Sequence, residues 1–224
     1  MESVIKDEFE FRQCIGLTKS TGQRARTLRE LRDLIATIGV ESIFHHTYQY
    51  FLKGHGLEYT NDFGHWAGEC LEERALSEYL SNIDIFAFEH TDYLRAEIIG
   101  QIDTYLATFP EPREAMPGDE FYFDETVSFV FPIGIRARNL AEFLMAIKHV
   151  DPGCIYYHFY LARKRLGKGK DDFSMWLRDT LKKEALADQL SSIDPFMLNI
   201  ESIRYDIIEF VEEEVHNDME MIDR

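Results

Sequence analysis

The sequence predicts a mainly α-helical protein with a small β element, built as an internal duplication of an up-and-down helical unit with pseudo-twofold symmetry. Three observations predict this fold class: repeated stretches of sequence, helix-start signals that recur in both copies, and short loops between apolar helical patterns. Helices joined by short loops usually run antiparallel to their neighbours. We expect repeats at 1–108 and 121–224, and a linker at 109–120 that holds three of the six prolines.

The duplication rests on stretches that match at a nearly constant spacing. The matching stretches, first copy before second, are RARTLREL at 24–31 and RARNLAEF at 136–143, SIFHHTY at 42–48 and CIYYHFY at 154–160, and NDFGHWAGECLEERALSEYLSNIDIF at 61–86 and DDFSMWLRDTLKKEALADQLSSIDPF at 171–196. The chain's tryptophans, Trp66 and Trp176, fall at the same repeat position. Self-similarity at a fixed spacing is typical of duplicated units.

Each copy opens with a β-prone run. The runs are Phe9–Ile15 and Val127–Ile133, and we expect Gly16 and Gly134 to end them. We also expect these two strands to pair with each other.

Helix-start signals predict about four helices in each copy. Thr27 with Glu30, and Asn139 with Glu142, form a capping box, in which the cap side chain and the carboxylate satisfy each other's free backbone donors. The later helices are predicted to start near Ser42 and Gly153, at Asn61-Asp62 and Asp171-Asp172, and near positions 91 and 198.

Composition restricts the class of partner. The chain has 24 basic and 41 acidic side chains, for a net charge of −17. Such a charge repels phosphate backbones, so we expect neither general nucleic-acid binding nor binding to an anionic membrane.

No apolar run approaches the length of about 20 residues that crosses a bilayer. With three cysteines and no CxxC pair, we expect a cytoplasmic protein with reduced thiols.

Arginines precede the first predicted helix of each copy. They are Arg24, Arg26, Arg136 and Arg138. Beside the free N–H groups of a helix N-terminus, they form a candidate binding site for phosphate or carboxylate, which we call the candidate anion site. The alternative is that Arg26 bridges to Asp62, and Arg138 to Asp172, at the same end of the bundle.

Histidines mark the opposite end of each predicted bundle. There His46 should face Asp84 at the end of the third helix, and His158 should face Asp194. A histidine oriented by a carboxylate can act as a general acid or base or as a metal ligand, and it can equally be a hydrogen-bonded core residue. If the copies face each other, both pairs could converge on one divalent ion.

The repeated motifs also resemble a known family. RARTLREL or RARNLAEF, SIFHH or CIYYH, NDFxxW or DDFxxW, and SxID together resemble DUF5752, a domain of unknown function in bacteria and archaea. The resemblance covers both halves of the chain. It implies no activity, cofactor or functional residue.

Three functional hypotheses follow from the sequence. The leading one is a non-enzymatic binding or regulatory protein for a small anionic ligand or a protein partner. The second is a metal-dependent enzyme with a His/Asp site at the interface of the repeats, and the third is an interaction scaffold that exposes an apolar patch. The sequence leaves catalysis and cofactors open.

Overall fold

A computed structural model describes residues 8–53, 58–166 and 170–222. The fold is mainly helical, as expected, and the described part contains one antiparallel sheet of two strands, β1 (Phe9–Ala25) and β2 (Phe121–Ala137). None of the described helices has the length and apolarity that a bilayer span requires.

Contacts divide the chain into two compact units. Unit 1 contains Met1–Ile15 and Phe129–Arg224, and unit 2 contains Gly16–Ser128. The division falls inside both strands. Each unit therefore combines the first half of one strand with the second half of the other, rather than taking one repeat of the sequence whole.

Unit 2 contains α-helices that follow one another between the two strands. In chain order they are α1 (Leu28–Thr37), α2 (Val40–Thr47), α3 (Asp62–Glu69), α4 (Arg74–Ser81) and α5 (Thr91–Thr108), with 3-10 turns at Tyr50–Lys53 and Ile85–Ala87. Residues 109–120 are irregular.

Unit 1 has a similar order of helices. They are α6 (Leu140–His149), α7 (Pro152–Ile155), α8 (Ala162–Leu166), α9 (Asp172–Asp179), α10 (Glu184–Ser192) and α11 (Ile200–Ile222), and a π-helical turn, Tyr156–Leu161, joins α7 to α8.

Side-chain caps begin α1 and α6 where the sequence predicts them. The Thr27 hydroxyl accepts from the N–H of Glu30, and the Glu30 carboxylate accepts from the N–H of Thr27, so the capping box is confirmed. Asn139 likewise accepts from the N–H of Glu142, whose carboxylate accepts instead from the N–H of Arg138. Residues at the start of each helix thus satisfy its free backbone N–H groups and stabilise its first turn.

The predicted third helix of each copy is in fact two helices. The chain turns between α3 and α4 at Glu72 (φ 54°), and between α9 and α10 at Lys182 (φ 58°). At each turn an N–H bonds to a carbonyl six residues earlier, from Glu73 to Ala67 and from Lys183 to Leu177. A left-handed residue that follows a helix is usually glycine, and glycine occupies neither position here, so the sequence carried no visible stop signal.

The prediction that Gly16 and Gly134 end the strands is wrong, whereas the predicted pairing of the strands is confirmed. Each strand runs for 17 residues through its glycine. Gly134 adopts φ +79°, which L side chains avoid. A Cβ on Gly16 would lie 2.9 Å from Thr126 Cγ2. The glycines therefore permit a local backbone conformation or a close approach inside a continuing strand.

Aromatic rings from the strand ends fill the core of each unit. In unit 1, the Phe9 ring lies 5.4 Å from Phe173, and the Phe11 ring lies 5.9 Å from Phe143. In unit 2, the Phe121 ring stacks 5.2 Å from Phe63. Burying a ring of this kind contributes about 2–3 kcal/mol, so the helices of each unit are held to the sheet by these contacts.

The left-handed turn at Lys182 yields a stability prediction. A side chain at positive φ costs about 1–2 kcal/mol that glycine avoids. We expect Lys182→Gly to be more stable than Lys182→Ala by about 1 kcal/mol in urea unfolding. The alanine variant removes the same long side chain and keeps the strain, so equal stability of the two variants would contradict the assignment.

Candidate functional site

Unit 2 buries a histidine that is hydrogen-bonded through both ring nitrogens. His46 Nδ1 lies 2.6 Å from Oδ2 of Asp62, the first residue of α3, and Nε2 accepts from the backbone N–H of Asp124 in β2 at 3.0 Å. Because Nε2 must accept, the ring donates through Nδ1 and is the neutral tautomer. This imidazole connects α2 to both α3 and the strand.

Unit 1 contains the corresponding arrangement. His158 Nδ1 lies 2.7 Å from Asp172 Oδ2 at the start of α9, and Nε2 accepts from the N–H of Arg12 in β1 at 2.8 Å. Arg165 also donates to the Asp172 carboxylate. Burial lowers the pKa of His158, against the opposing effect of Asp172, so the ring stays neutral near pH 7.

The carboxylates that orient these histidines differ from those expected. They are Asp62 and Asp172 rather than Asp84 and Asp194. Asp84 and Asp194 each accept from the N–H two residues farther along the chain. The expectation assumed one long third helix, and the turn between α3 and α4, like that between α9 and α10, redirects the segment that carries Asp84 or Asp194.

One group of possible metal ligands occurs among the described residues. Ligand atoms of His45, His46 and Asp62 all lie within 4.8 Å of one another. However, both nitrogens of His46 are engaged, and His45 Nδ1 lies 2.6 Å from the Thr126 hydroxyl oxygen. A metal ion would have to displace the backbone N–H of Asp124 or the His46–Asp62 bond, so the geometry favours a structural role for this group.

The candidate anion site of unit 2, at Arg24 and Arg26, lies beside carboxylate and carbonyl groups of its own chain. Arg26 donates to the carbonyl of Ala115 and lies 3.4 Å from the Glu114 carboxylate. The expected bridge to Asp62 is replaced by the Asp62–His46 bond. Arg24 is exposed. An anion at Arg26 would compete with Glu114.

The arginines of unit 1 are paired in the same way. Arg138 Nε lies 2.8 Å from Glu8, and Arg136 lies 3.5 Å from both Glu8 and Glu10. The expected bridge from Arg138 to Asp172 is replaced by these contacts. Such exposed pairs contribute little to stability, but they neutralise the guanidinium groups that an anion would need.

Sequence reasoning missed a cavity in unit 2. A cleft of about 750 Å³ is lined by residues of α3 and α4, by the segment before α3 and by Arg113. Its charged lining consists of Glu58, Glu69, Glu72, Glu78, Arg74 and Arg113. Carboxylates outnumber guanidinium groups by two, so the cleft has a negative electrostatic potential. We call it the acidic cleft.

Gly68 shapes one wall of the acidic cleft. A Cβ at this position would lie 2.8 Å from the Tyr59 hydroxyl and 2.9 Å from Ser77 Oγ. The Tyr59 hydroxyl donates to Glu69 at 2.5 Å, and this bond, with burial, raises the pKa of Tyr59 to about 12. Glycine therefore lets the tyrosine lie directly against α3.

Some charges of the acidic cleft are already paired. Arg113 forms an ion pair with Glu72, and Glu69 is bound by Tyr59. Within the residues the structure describes, the carboxylates of Glu58 and Glu78 make no hydrogen bond or ion pair. These two groups are available to a ligand.

A smaller cavity of about 280 Å³ lies beside the His46–Asp62 pair. Its lining includes His65, Cys70 and Glu120. Backbone N–H groups lower the pKa of Glu120, and burial raises the pKa of the Cys70 thiol. The cavity therefore places a carboxylate and a protonated thiol next to the structural histidine.

Comparison with known proteins identifies the family. A family model described as "Family of unknown function (DUF5752)" matches residues 6–212. The chain belongs to this family. Among solved structures, this DUF5752 protein is similar to "The structure of OrfY from Thermoproteus tenax", with 32% sequence identity, a TM-score of 0.73, and coverage of 92% of this chain and 94% of that chain. No curated protein matches it. The resemblance carried by the repeated motifs is confirmed.

The buried histidine of unit 1 predicts a pH dependence for this DUF5752 protein. Below the ordinary histidine pKa of 6.5 the unfolded chain binds a proton at His158, whereas the folded chain, with its lowered pKa, does not. Folding stability is therefore lost as pH falls from 6.5 towards the folded pKa. His158→Gln, whose amide does not titrate, should be less stable by about 1–3 kcal/mol at pH 7.5.

The difference in stability between wild type and His158→Gln should shrink as pH falls from 7.5 to 5 in thermal unfolding. His216→Gln, at a position that is 72% exposed, controls for the loss of one imidazole. A difference that stays constant over this range would contradict a buried neutral His158.

Proposed function

We propose that this chain is an internally duplicated, non-enzymatic binding protein whose first repeat holds a small cationic ligand in the acidic cleft. The duplication is supported by contacts at matching repeat positions. His46, Asp62 and the N–H of Asp124 correspond to His158, Asp172 and the N–H of Arg12. The same hydrogen bonds at the same spacing favour one ancestral unit over independent origins.

The acidic cleft is the observation that carries the ligand assignment. A volume of about 750 Å³ is in the range of small-molecule sites, and ligand sites are usually concave with a few convergent polar groups. Glu58 and Glu78 supply carboxylates that an ammonium group would bind through charge-assisted hydrogen bonds. The net charge of −17 would also concentrate cations near the surface.

An anionic ligand, the leading expectation from the sequence, has weaker support. The arginines nominated for it face Glu114, Glu8 and Glu10. In the cleft itself, Arg113 is paired with Glu72. We therefore replace the anion with an amine-bearing cation as the proposed ligand.

Differences between the repeats explain why we assign the site to one of them. The position of Gly68 is occupied in the second repeat by Arg178, which pairs with Asp188. The position of Glu72 is occupied by Lys182. A long cationic side chain in place of the glycine would occupy such a cleft and neutralise it.

Isothermal titration with spermidine tests the proposal. We expect wild-type protein to bind it with an affinity that falls as salt is raised, because screening weakens exposed charge pairs. Inorganic phosphate should not bind. Binding of phosphate without spermidine would contradict the proposed ligand class.

Gly68→Arg should weaken spermidine binding by at least about tenfold, because its side chain enters the cleft and carries the charge of the ligand. The matched control is Gly100→Arg on α5, where an added Cβ meets nothing within 4 Å. Equal affinity of the two variants, with both folded by circular dichroism, would place the ligand elsewhere.

A further inference from the structure

One cation that lines the acidic cleft comes from outside the helices that form it. Among the described residues, the lining lies between Glu58 and Asn82, apart from Arg113, which belongs to the linker 109–120. The guanidinium group of Arg113 is ion-paired with Glu72, at the left-handed turn between α3 and α4. The linker therefore places a positive charge of the protein itself on one of the carboxylates that make the cleft negative.

The backbone at Arg113 is held by a carboxylate just before α4. Glu73 accepts a hydrogen bond from the N–H of Arg113 at 3.0 Å, and its other oxygen accepts one from the hydroxyl of Tyr105 on α5 at 2.5 Å. The preceding residue is Pro112, whose ring fixes its φ at about −65°. The arginine side chain thus extends from a defined point of the backbone.

Contacts on both sides of Arg113 attach the linker to the start of α1. Upstream, Arg29 donates to the carbonyl of Pro110 at 2.8 Å. Downstream, the N–H of Ala115 donates to the carbonyl of Arg26 at 2.9 Å, and the Ala115 side chain is buried. A group that is held in place before it pairs loses less conformational entropy on pairing. The linker therefore preorganises Arg113 at the cleft.

The ion pair between Arg113 and Glu72 is weak enough to be displaced. The two side chains are 63% and 70% exposed. Exposed ion pairs contribute little to stability, and salt screens them. An ammonium group of a ligand can exchange with the guanidinium group, because each supplies one positive charge and N–H donors to the same carboxylate.

We propose that Arg113 is an internal competitor of the cationic ligand and that it lowers the affinity of the acidic cleft for that ligand. This inference rests on the proposed function, because it concerns the same cleft. A ligand that binds Glu58 and Glu78 must displace the guanidinium group to reach Glu72 as well. A tethered group competes at an effective concentration on the order of millimolar. The competition is therefore present in every molecule, whatever the protein concentration.

Isothermal titration of the full chain with spermidine at low salt tests the competition. Arg113→Gln is expected to bind spermidine about three- to tenfold more tightly than wild type, because Glu72 becomes available and the cleft loses one positive charge. The gain should disappear at high salt. The bond from the backbone N–H to Glu73 does not need the arginine side chain, so the linker keeps this contact. Arg113→Lys keeps the charge and should bind as wild type does; tightening equal to that of Arg113→Gln overturns the proposal.

Arg32→Gln is the matched control for net charge. Arg32 also lies in unit 2 and forms an ion pair at the surface, with Asp103, but it does not line the acidic cleft. The variant has the same net charge as Arg113→Gln, and it should bind spermidine as wild type does. Equal gains in the two variants overturn the proposal, since the gain would then come from net charge alone.

A double-mutant cycle with Glu72→Gln identifies the contested carboxylate. In that background Arg113→Gln should give a smaller gain, because the ligand and the arginine no longer compete for Glu72. An undiminished gain overturns the proposal. Spermidine binding that is present in wild type and no tighter in Arg113→Gln overturns this inference alone. If spermidine binds neither wild type nor Arg113→Gln, the proposed function fails and this inference fails with it.

Discussion

A neutral, buried imidazole hydrogen-bonded on both sides is the contact on which each unit depends. His46 accepts a hydrogen bond from the N–H of Asp124 and donates one to the carboxylate of Asp62. His158 likewise accepts from the N–H of Arg12 and donates to the carboxylate of Asp172. The N–H groups belong to strand residues 78 and 146 positions away in sequence. Losing the ring would leave the strand N–H without its acceptor, at a cost of about 1–3 kcal/mol, and would remove one donor from the carboxylate. The hydrogen bond from the strand N–H also attaches one stretch of strand to the helices of each unit, β2 near Asp124 in unit 2 and β1 near Arg12 in unit 1.

The two units share this arrangement and differ in charge. In unit 1, Arg165 also donates to the Asp172 carboxylate, and Arg178 pairs with Asp188. In unit 2, Gly68 has no side chain, and an acidic cleft lies beside it. A framework held by internal hydrogen bonds tolerates such changes because they lie on exposed helix faces, where substitutions have small effects on stability. The same reasoning explains how a binding site can occur in one unit only.

Helix starts were predictable because they depend on neighbouring residues. The caps at Thr27, Asn139, Asn61 and Asp171 all form as expected, since a cap bonds to an N–H two or three positions away. The turn at Glu72 was not predictable, because its left-handed backbone conformation carries no glycine to mark it. That missed turn explains the incorrect pairing of His46 with Asp84.

The sequence by itself determined the helical class, the helix starts, the strand pairing, the family, and histidines and carboxylates at matching positions, because each depends on local pattern or on repetition along the chain. Only the tertiary structure decided which carboxylate meets each histidine, how far the strands extend, and where the acidic cleft lies. These features depend on contacts between residues far apart in sequence, such as His158 with Arg12. Such contacts are set by the packing of whole elements, which local pattern does not specify.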